Sequence, residues 1–305
     1  MHVLMSKNFE QLFSRLKEVK VKTLSVAVAQ DEPVLEAVKL AHEKGFVEAI
    51  LVGDENQIKE IATKIGMDLS KFEIVHEEDT QKAALKAVEI VSTGRADMLM
   101  KGLLDTATFL RSVLNKEIGL RTGNLMSHVA VFDIPSLDRL LFLTDVAFNT
   151  YPDVATKAGM IKNALLVTKA CGVEMPKVAP VCAVEVVNKN MPATLDAAEL
   201  VKMNENGEIK DCIVNGPFAL DNAISEEAAK HKGIEGPVAG KADILVLPNI
   251  ETGNVMYKTL TYFSNSKNGC VLVGTAAPVI LTSRADSFET KVNSIALAAL
   301  VADRK

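Results

Sequence analysis

The sequence predicts an α/β fold in two domains, resting on a parallel sheet, and three observations carry that prediction. Short apolar runs alternate with helix-period segments almost from the first residues. Acids, prolines and hydroxyl residues open the helical segments right after the apolar runs. Beyond about residue 117 the rhythm changes, and a last strand–helix unit closes the chain. With 305 residues, 48% of them apolar, the chain is long enough to bury a large core or two smaller ones.

The first segment, 1–20, carries charge throughout and reads as an amphipathic helix around Phe9, Leu12, Phe13 and Leu16. Leu24 to Ala29 reads as a buried strand. A helix opened by Asp31, Glu32 and Pro33 follows and stops at Gly45. Val47 to Val52 is a second strand, with a helix running to Gly66. Phe72 to Val75 is a third, before a helix over Gln81 to Ser92. Met98 to Met100 is a fourth, before a helix over Thr106 to Leu114. Four strand–helix units in a row imply parallel strands covered by helices on both faces.

His128 to Ile134 and Leu140 to Thr144 flank the short turn Pro135-Ser136-Leu137-Asp138, which predicts an antiparallel hairpin. Asn149 to Pro152 is a loop leading into a long helix that ends near Gly172. Val178 to Ala183, Asp211 to Val214 and Asp243 to Leu247 read as three further strands. Cys270 to Val273, a loop over Gly274 to Arg284 and a helix to Ala302 complete the chain. No Pro/Gly-rich linker appears, so the second domain is expected as an insertion. The expected boundaries are 1–116 plus 271–305 for the first domain and 117–270 for the second.

Composition removes several function classes. A mixed net charge of −5 argues against a coat for nucleic acid or for an anionic membrane. Neither a signal peptide nor a membrane span is seen, which makes the cytoplasm the expected location. Cys171, Cys182, Cys212 and Cys270 are scattered, and read as reduced, buried thiols. The five histidines are dispersed and His76-Glu77-Glu78-Asp79 lacks a second histidine, so no metal site is expected.

Two segments invite an anion. Thr282-Ser283-Arg284 precedes a helix whose first turn is expected to hold Asp286, Ser287 and Glu289. First-turn amides lack intrahelical acceptors, and an arginine fork suits phosphate. Lys101-Gly102 leads likewise into Asp105-Thr106-Ala107-Thr108 and Arg111 at a second helix start. Taken alone, the first segment is more often a plain helix cap with a surface arginine and the second has the same bland reading, but the two together are more informative than either. Gly236-Pro237-Val238-Ala239-Gly240-Lys241 fails as a phosphate-binding P-loop, being one residue short and followed by a strand. Dinucleotide glycines are missing after the first strand, and no serine sits in a GxSxG elbow.

The ordered blocks Asn215 to Asp221, Gly236 to Ala242, Pro248 to Lys258 and Pro278 to Arg284 resemble the phosphate acetyl/butyryltransferase family. Length and the segment Met100 to Leu104 with Thr106 look most like its butyryl-transferring branch. The resemblance implies a two-domain fold akin to isocitrate and isopropylmalate dehydrogenases, with an active site in the interdomain cleft and a homodimer. It implies acyl transfer between coenzyme A and inorganic phosphate, with both as substrates and no permanent cofactor.

By the same resemblance, Ser283 donates a hydrogen bond to the coenzyme A sulfur or the developing oxyanion, and Arg284 clamps phosphate. Thr106 and Arg111 belong to a second anion-binding helix start, and Asn254 to the substrate-binding Gly-Asn block. Tyr262 stands where the acetyl branch has an arginine, and Lys101 would restore that charge. Thr290 stands where that branch has a candidate base, leaving Asp286 or Glu289 for the role. The acetyl-transferring activity is the nearest alternative. A metal- and NAD-dependent decarboxylating dehydrogenase, which needs a carboxylate cluster that Asp145, Asp153, Asp221 and Asp243 do not show in their spacing, is another, and a non-catalytic dimeric binding protein a third.

Overall fold

A computed structural model describes residues 5–283 and 285–303. The chain divides into two compact units. The terminal unit joins Phe9–Asn124 to 268–303, and the central unit joins 5–8 to Leu125–Lys267.

The terminal unit begins with α1 (Phe9–Leu16), β1 (Lys22–Ala27), α2 (Glu32–Glu43), β2 (Val47–Gly53), α3 (Glu55–Ile65), β3 (Glu73–His76), α4 (Thr80–Ser92), β4 (Met98–Lys101) and α5 (Thr106–Val113). The central unit holds β5 (Ser127–Asp133), β6 (Leu140–Thr144), α6 (Val154–Ala170), β7 (Lys177–Pro180), α7 (Pro192–Glu205), β8 (Ile213–Val214), α8 (Leu220–Ile224), α9 (Glu226–His231), β9 (Ile244–Val246) and α10 (Ile250–Phe263). The chain then returns through β10 (Lys267–Val273), β11 (Val279–Ile280) and α11 (Phe288–Asp303).

In the terminal unit the strand order is β3-β2-β1-β4-β11-β10. All neighbours are parallel except β10, which runs antiparallel to β11. The order β5-β6-β9-β7-β8 describes the central unit. There β5 and β6 form the expected antiparallel hairpin and the remaining pairs are parallel. The architecture is mixed α/β with mostly parallel strands, which explains the continuous apolar runs: β4 and β6 are buried at every position.

Local chemistry sets the helix ends. Asp31, Asp54, Asp79, Asp105 and Asp153 each cap a helix by accepting a first-turn amide. Gly66 closes α3 in the left-handed conformation at φ 64°. Three details depart from the sequence reading. β1 ends at Ala27, and Val28 turns out of the strand at φ 56°. The loop expected over 274–284 contains the two-residue strand β11. The last helix opens at Phe288, later than expected, with every residue from Thr290 to Val301 buried.

All four cysteines are buried and none forms a disulfide among the described residues. Burial pushes the Cys182 and Cys212 thiols up to about 11. The thiolate fraction at pH 8 is then on the order of one part in a thousand. Native protein treated with iodoacetamide at pH 8 should therefore stay unmodified at both positions, and denatured protein should be modified at all four cysteines. Intact-protein and peptide mass spectrometry check this; rapid native labelling of Cys182 or Cys212 contradicts it.

Candidate active site

At the carboxyl end of β4 a buried lysine shapes the loop. Lys101 is only 6% exposed, and its ammonium donates to the carbonyls of Gly102 (3.3 Å) and Leu104 (2.9 Å). Lysine is rarely buried without partners that satisfy its charge, and here main-chain oxygens serve. The Gly102 and Leu103 amides donate to Ala27 and Val28 across β1, each at 2.8 Å.

One step further, Asp105 accepts from the Thr108 amide at 2.8 Å. Hydrogen bonds from the Thr108 side chain and then its backbone hold the Asp105 carboxyl below the ordinary aspartate range. Arg111 donates to the Thr108 hydroxyl at 2.8 Å. Thr106 is exposed at the first position of α5, so its amide and that of Ala107 lie outside the helix's own ladder.

Strand β11 sets the second loop beside the first. It pairs in parallel with β4, Val279 opposite Leu99 and Ile280 opposite Met100. Continuing that register carries Leu281 alongside Lys101 and delivers Thr282 and Ser283 beyond the strand ends. Ser283 then closes a tight turn. Its amide donates to the Asp286 carboxylate (2.6 Å) and its carbonyl accepts from the Asp286 amide (3.1 Å). Its hydroxyl oxygen accepts from the Ala285 amide (3.3 Å), while the hydroxyl hydrogen has no acceptor among the described residues. Ser283 is exposed and Asp286 is buried. Arg284 lies outside the described residues.

This geometry corrects the placement expected for the segment. The mouth of α11 is capped by Ser287, whose hydroxyl accepts the Thr290 amide at 3.1 Å. Ser283 sits ahead of that mouth, on its own turn. Asp286 precedes the cap, and its carboxylate is committed to the Ser283 amide. Thr290, at the position of the acetyl branch's candidate base, is buried and donates to the Asn268 side chain at 2.6 Å.

Asn254 belongs to the central unit, on α10, where its amide donates to the Val146 carbonyl at 3.4 Å. The other described candidates (Lys101, Thr106, Arg111, Ser283 and Asp286) all belong to the terminal unit. Beneath Asn254, a Cβ on Gly253 would lie 2.1 Å from the Asp145 carbonyl, so only glycine lets α10 sit this close. The Asp145 carboxylate accepts from the amides of His128, Ala147, Phe148 and Asn149 and from the Asn149 side chain. It organises the turn on which α10 rests, a role the sequence reading missed.

The other carboxylates of the dehydrogenase alternative are also engaged locally. Asp153 caps α6, Asp221 pairs with Lys232, and Asp243 accepts the Lys177 amide at 2.8 Å. Among the described residues no group of three or more His, Cys, Asp or Glu side chains is arranged to hold a metal ion. The Gly236 to Lys241 segment also has a structural explanation. Arg139 donates to the carbonyls of Ile224, Gly240 and Ala242. Gly240, at φ 72°, is pressed against the Glu226 backbone, where a Cβ would lie 2.4 Å away. The segment is a lock at the amino end of β9, the end opposite to where ligands of parallel sheets bind.

A loop offering the first-turn amides of α5 and another offering the Ser283 hydroxyl extend from the carboxyl ends of the paired strands β4 and β11, the frame of an α/β enzyme suited to an anionic substrate. Comparison with known proteins specifies it. The sequence pattern of the phosphate acetyl/butaryl transferases matches residues 8–84 and 78–299. The chain is 71% identical over 300 residues to the phosphate butyryltransferase of Clostridium beijerinckii, covering 98% of this chain and 99% of that one. It is 66% identical over 301 residues to that of Clostridium acetobutylicum, covering 99% and 100%. The crystal structure of a branched-chain phosphotransacylase from Enterococcus faecalis V583 superposes with a TM-score of 0.82 at 36% identity, covering 92% of this chain and 99% of that one.

The chain belongs to the phosphate acetyl/butaryl transferase family, acyltransferases that move an acyl group between coenzyme A and phosphate. Within it, the dehydrogenase alternative is not favoured.

Proposed function

We propose that this chain catalyses butanoyl-CoA + phosphate ⇌ butanoyl phosphate + CoA. The pairing of β11 with β4 carries the site assignment, because it puts the Ser283 turn next to the loop from Lys101 to Thr106. The full-length likeness to two phosphate butyryltransferases supports the acyl chain.

A phosphate oxygen attacks the thioester carbonyl carbon, forming a P–O–C bond and a tetrahedral oxyanion. Collapse breaks the C–S bond, and the electron pair leaves on sulfur as a thiolate. Negative charge thus grows on two atoms while phosphate must be held near them. Aimed donors are the device that lowers such a barrier.

Ser283 supplies its hydroxyl hydrogen to the oxyanion or the departing sulfur. Asp286, committed to the Ser283 amide, is better read as the residue positioning that hydroxyl than as a base. Since coenzyme A leaves as thiolate and takes its proton from solvent, the reaction balances without one. Arg284, by resemblance, clamps phosphate, and Thr106, Arg111 and the charge of Lys101 support it from the β4 side. Asn254, on α10, belongs by the same resemblance to the substrate-binding block. The reaction so written uses acyl-CoA and inorganic phosphate and no permanent cofactor. The cytoplasm and a homodimer complete the proposal; among the described residues no helix is long and apolar enough to cross a membrane.

The test is phosphate-dependent thiol release from a series of acyl-CoA substrates. One buried methylene changes an enzyme's preference by about 1–3 kcal/mol, so butanoyl-CoA should exceed acetyl-CoA in kcat/KM by tenfold or more. A preference for acetyl-CoA would assign the chain to acetyl transfer, and NAD-dependent turnover would overturn the reaction class.

A further inference from the structure

Lys291 breaks two local rules at once. It lies in the opening turn of α11, where a cation opposes the helix dipole, and it is 3% exposed. Its ammonium donates to the Asp286 carbonyl at 2.7 Å, and among the described residues no carboxylate lies within ion-pairing distance. Burying a charge against one neutral carbonyl is unfavourable for stability alone. Breaches of this kind concentrate where a fold serves a site.

The contact is specific. Asp286 is gripped from both sides: its carboxylate by the Ser283 amide at 2.6 Å, its carbonyl by Lys291 at 2.7 Å. Ser287, the cap of α11, completes the connection through the Lys291 amide, which donates to its carbonyl at 3.2 Å. Ser283 is thereby fixed to the fully buried body of α11, and a positive charge is set beneath the turn.

We propose that Lys291 is a positioning residue for phosphate, holding Asp286 and through it Ser283 in place and setting a buried cation beside them. This rests on the acyl-transfer reading above. That reading assigns chemistry to Ser283; the inference adds what holds Ser283 through Asp286 and biases its surroundings toward an anion.

The experiment compares wild type with Lys291→Met, Lys291→Gln and Lys291→Arg, varying phosphate at saturating butanoyl-CoA and then the reverse, with melting curves alongside. Lys291→Met should raise the phosphate KM and lower kcat by about tenfold each, because small displacements of a reacting group are costly. The butanoyl-CoA KM should stay within about twofold, since that substrate is not what the charge addresses. Lys291→Arg, keeping donor and charge, should recover most of the loss.

A lysine serving stability alone would lower the melting temperature and leave both constants of the folded enzyme unchanged, which overturns the proposal. If Lys291→Met does not fold, Lys291→Gln is read the same way: it keeps a donor and loses the charge, and an unchanged phosphate KM there also overturns the inference. A wild type without phosphate-dependent release would defeat the acyl-transfer reading itself, whereas an active wild type with indifferent variants defeats only the role of Lys291.

Discussion

Replacing Ser283 with alanine should lower kcat by about 100- to 1000-fold, the usual loss when one aimed donor to a developing anion is removed. The expectation comes from how the hydroxyl is used. Its oxygen already accepts from Ala285, so the atom left to offer a substrate is its hydrogen. The turn does not depend on that hydroxyl, because it is closed by the Ser283 main chain and Asp286. Ser283 is exposed, so the variant should melt within a degree or two of wild type and keep its butanoyl-CoA KM within about threefold. Stopped assays of CoA release with the folded fraction measured in parallel decide it. A variant retaining half of the wild-type kcat would show that the hydroxyl meets no charge in the transition state.

The elements legible in the sequence are those in which one physical preference dominates. β2 and β4 are apolar at nearly every position because both faces are covered, and α2 and α3 carry their capping aspartates and terminal glycines openly. β11 was hidden because it is two residues long, held between β4 and β10. Nothing in Val279-Ile280 separates a strand from an apolar loop until both partners are present. α11 was legible as a helix and illegible in its surroundings. From Thr290 to Val301 the helix is buried at every position, polar residues included, so no exposed stripe marks it out, and three candidate caps, Ser283, Asp286 and Ser287, stand within five residues of one another ahead of its start.

The site was legible in a different way. The order of four sequence blocks singled out Ser283 and Asn254, yet physical chemistry alone left Ser283 as one more helix cap. What no pattern announced were the supports. Asp145 stands in the sequence as an aspartate after a strand, and its five hydrogen bonds come from amides as distant as His128. Lys291 stands in the sequence among Glu289, Thr290 and Asn293, and nothing there marks it as buried. Its burial depends on elements packed around α11 from elsewhere in the chain. Supports of this sort are long-range by nature, so they become visible only when the fold is built.

Gly102 is the support whose loss should be felt most. Its φ is not in the left-handed region, so alanine is acceptable to the backbone there and the obstacle is space alone. A Cβ would lie 2.2 Å from the Val28 carbonyl oxygen and 2.7 Å from that of Ala27. Both are main-chain atoms, and both accept the amides that tie the end of β4 to β1. Relief requires the strands to part at that point, giving up those two hydrogen bonds. It also disturbs Val28, a β-branched residue at φ 56° that stays there only because its surroundings hold it.

The cost of Gly102→Ala should be about 3 kcal/mol or more, a melting temperature lower by roughly 6–12 °C for a unit of this size. Gly45→Ala provides the contrast. Gly45 sits at φ 71° with nothing within 4 Å of its would-be Cβ, so it should lose only about 1 kcal/mol of backbone strain. Activity separates the two further. Lys101 and Thr106 flank the displaced point, so Gly102→Ala should lose kcat/KM for phosphate even at a temperature where it is fully folded, and Gly45→Ala should not. If the two variants melt alike, or if folded Gly102→Ala turns over normally, the close approach of β1 and β4 is not what holds the loop from Lys101 to Thr106.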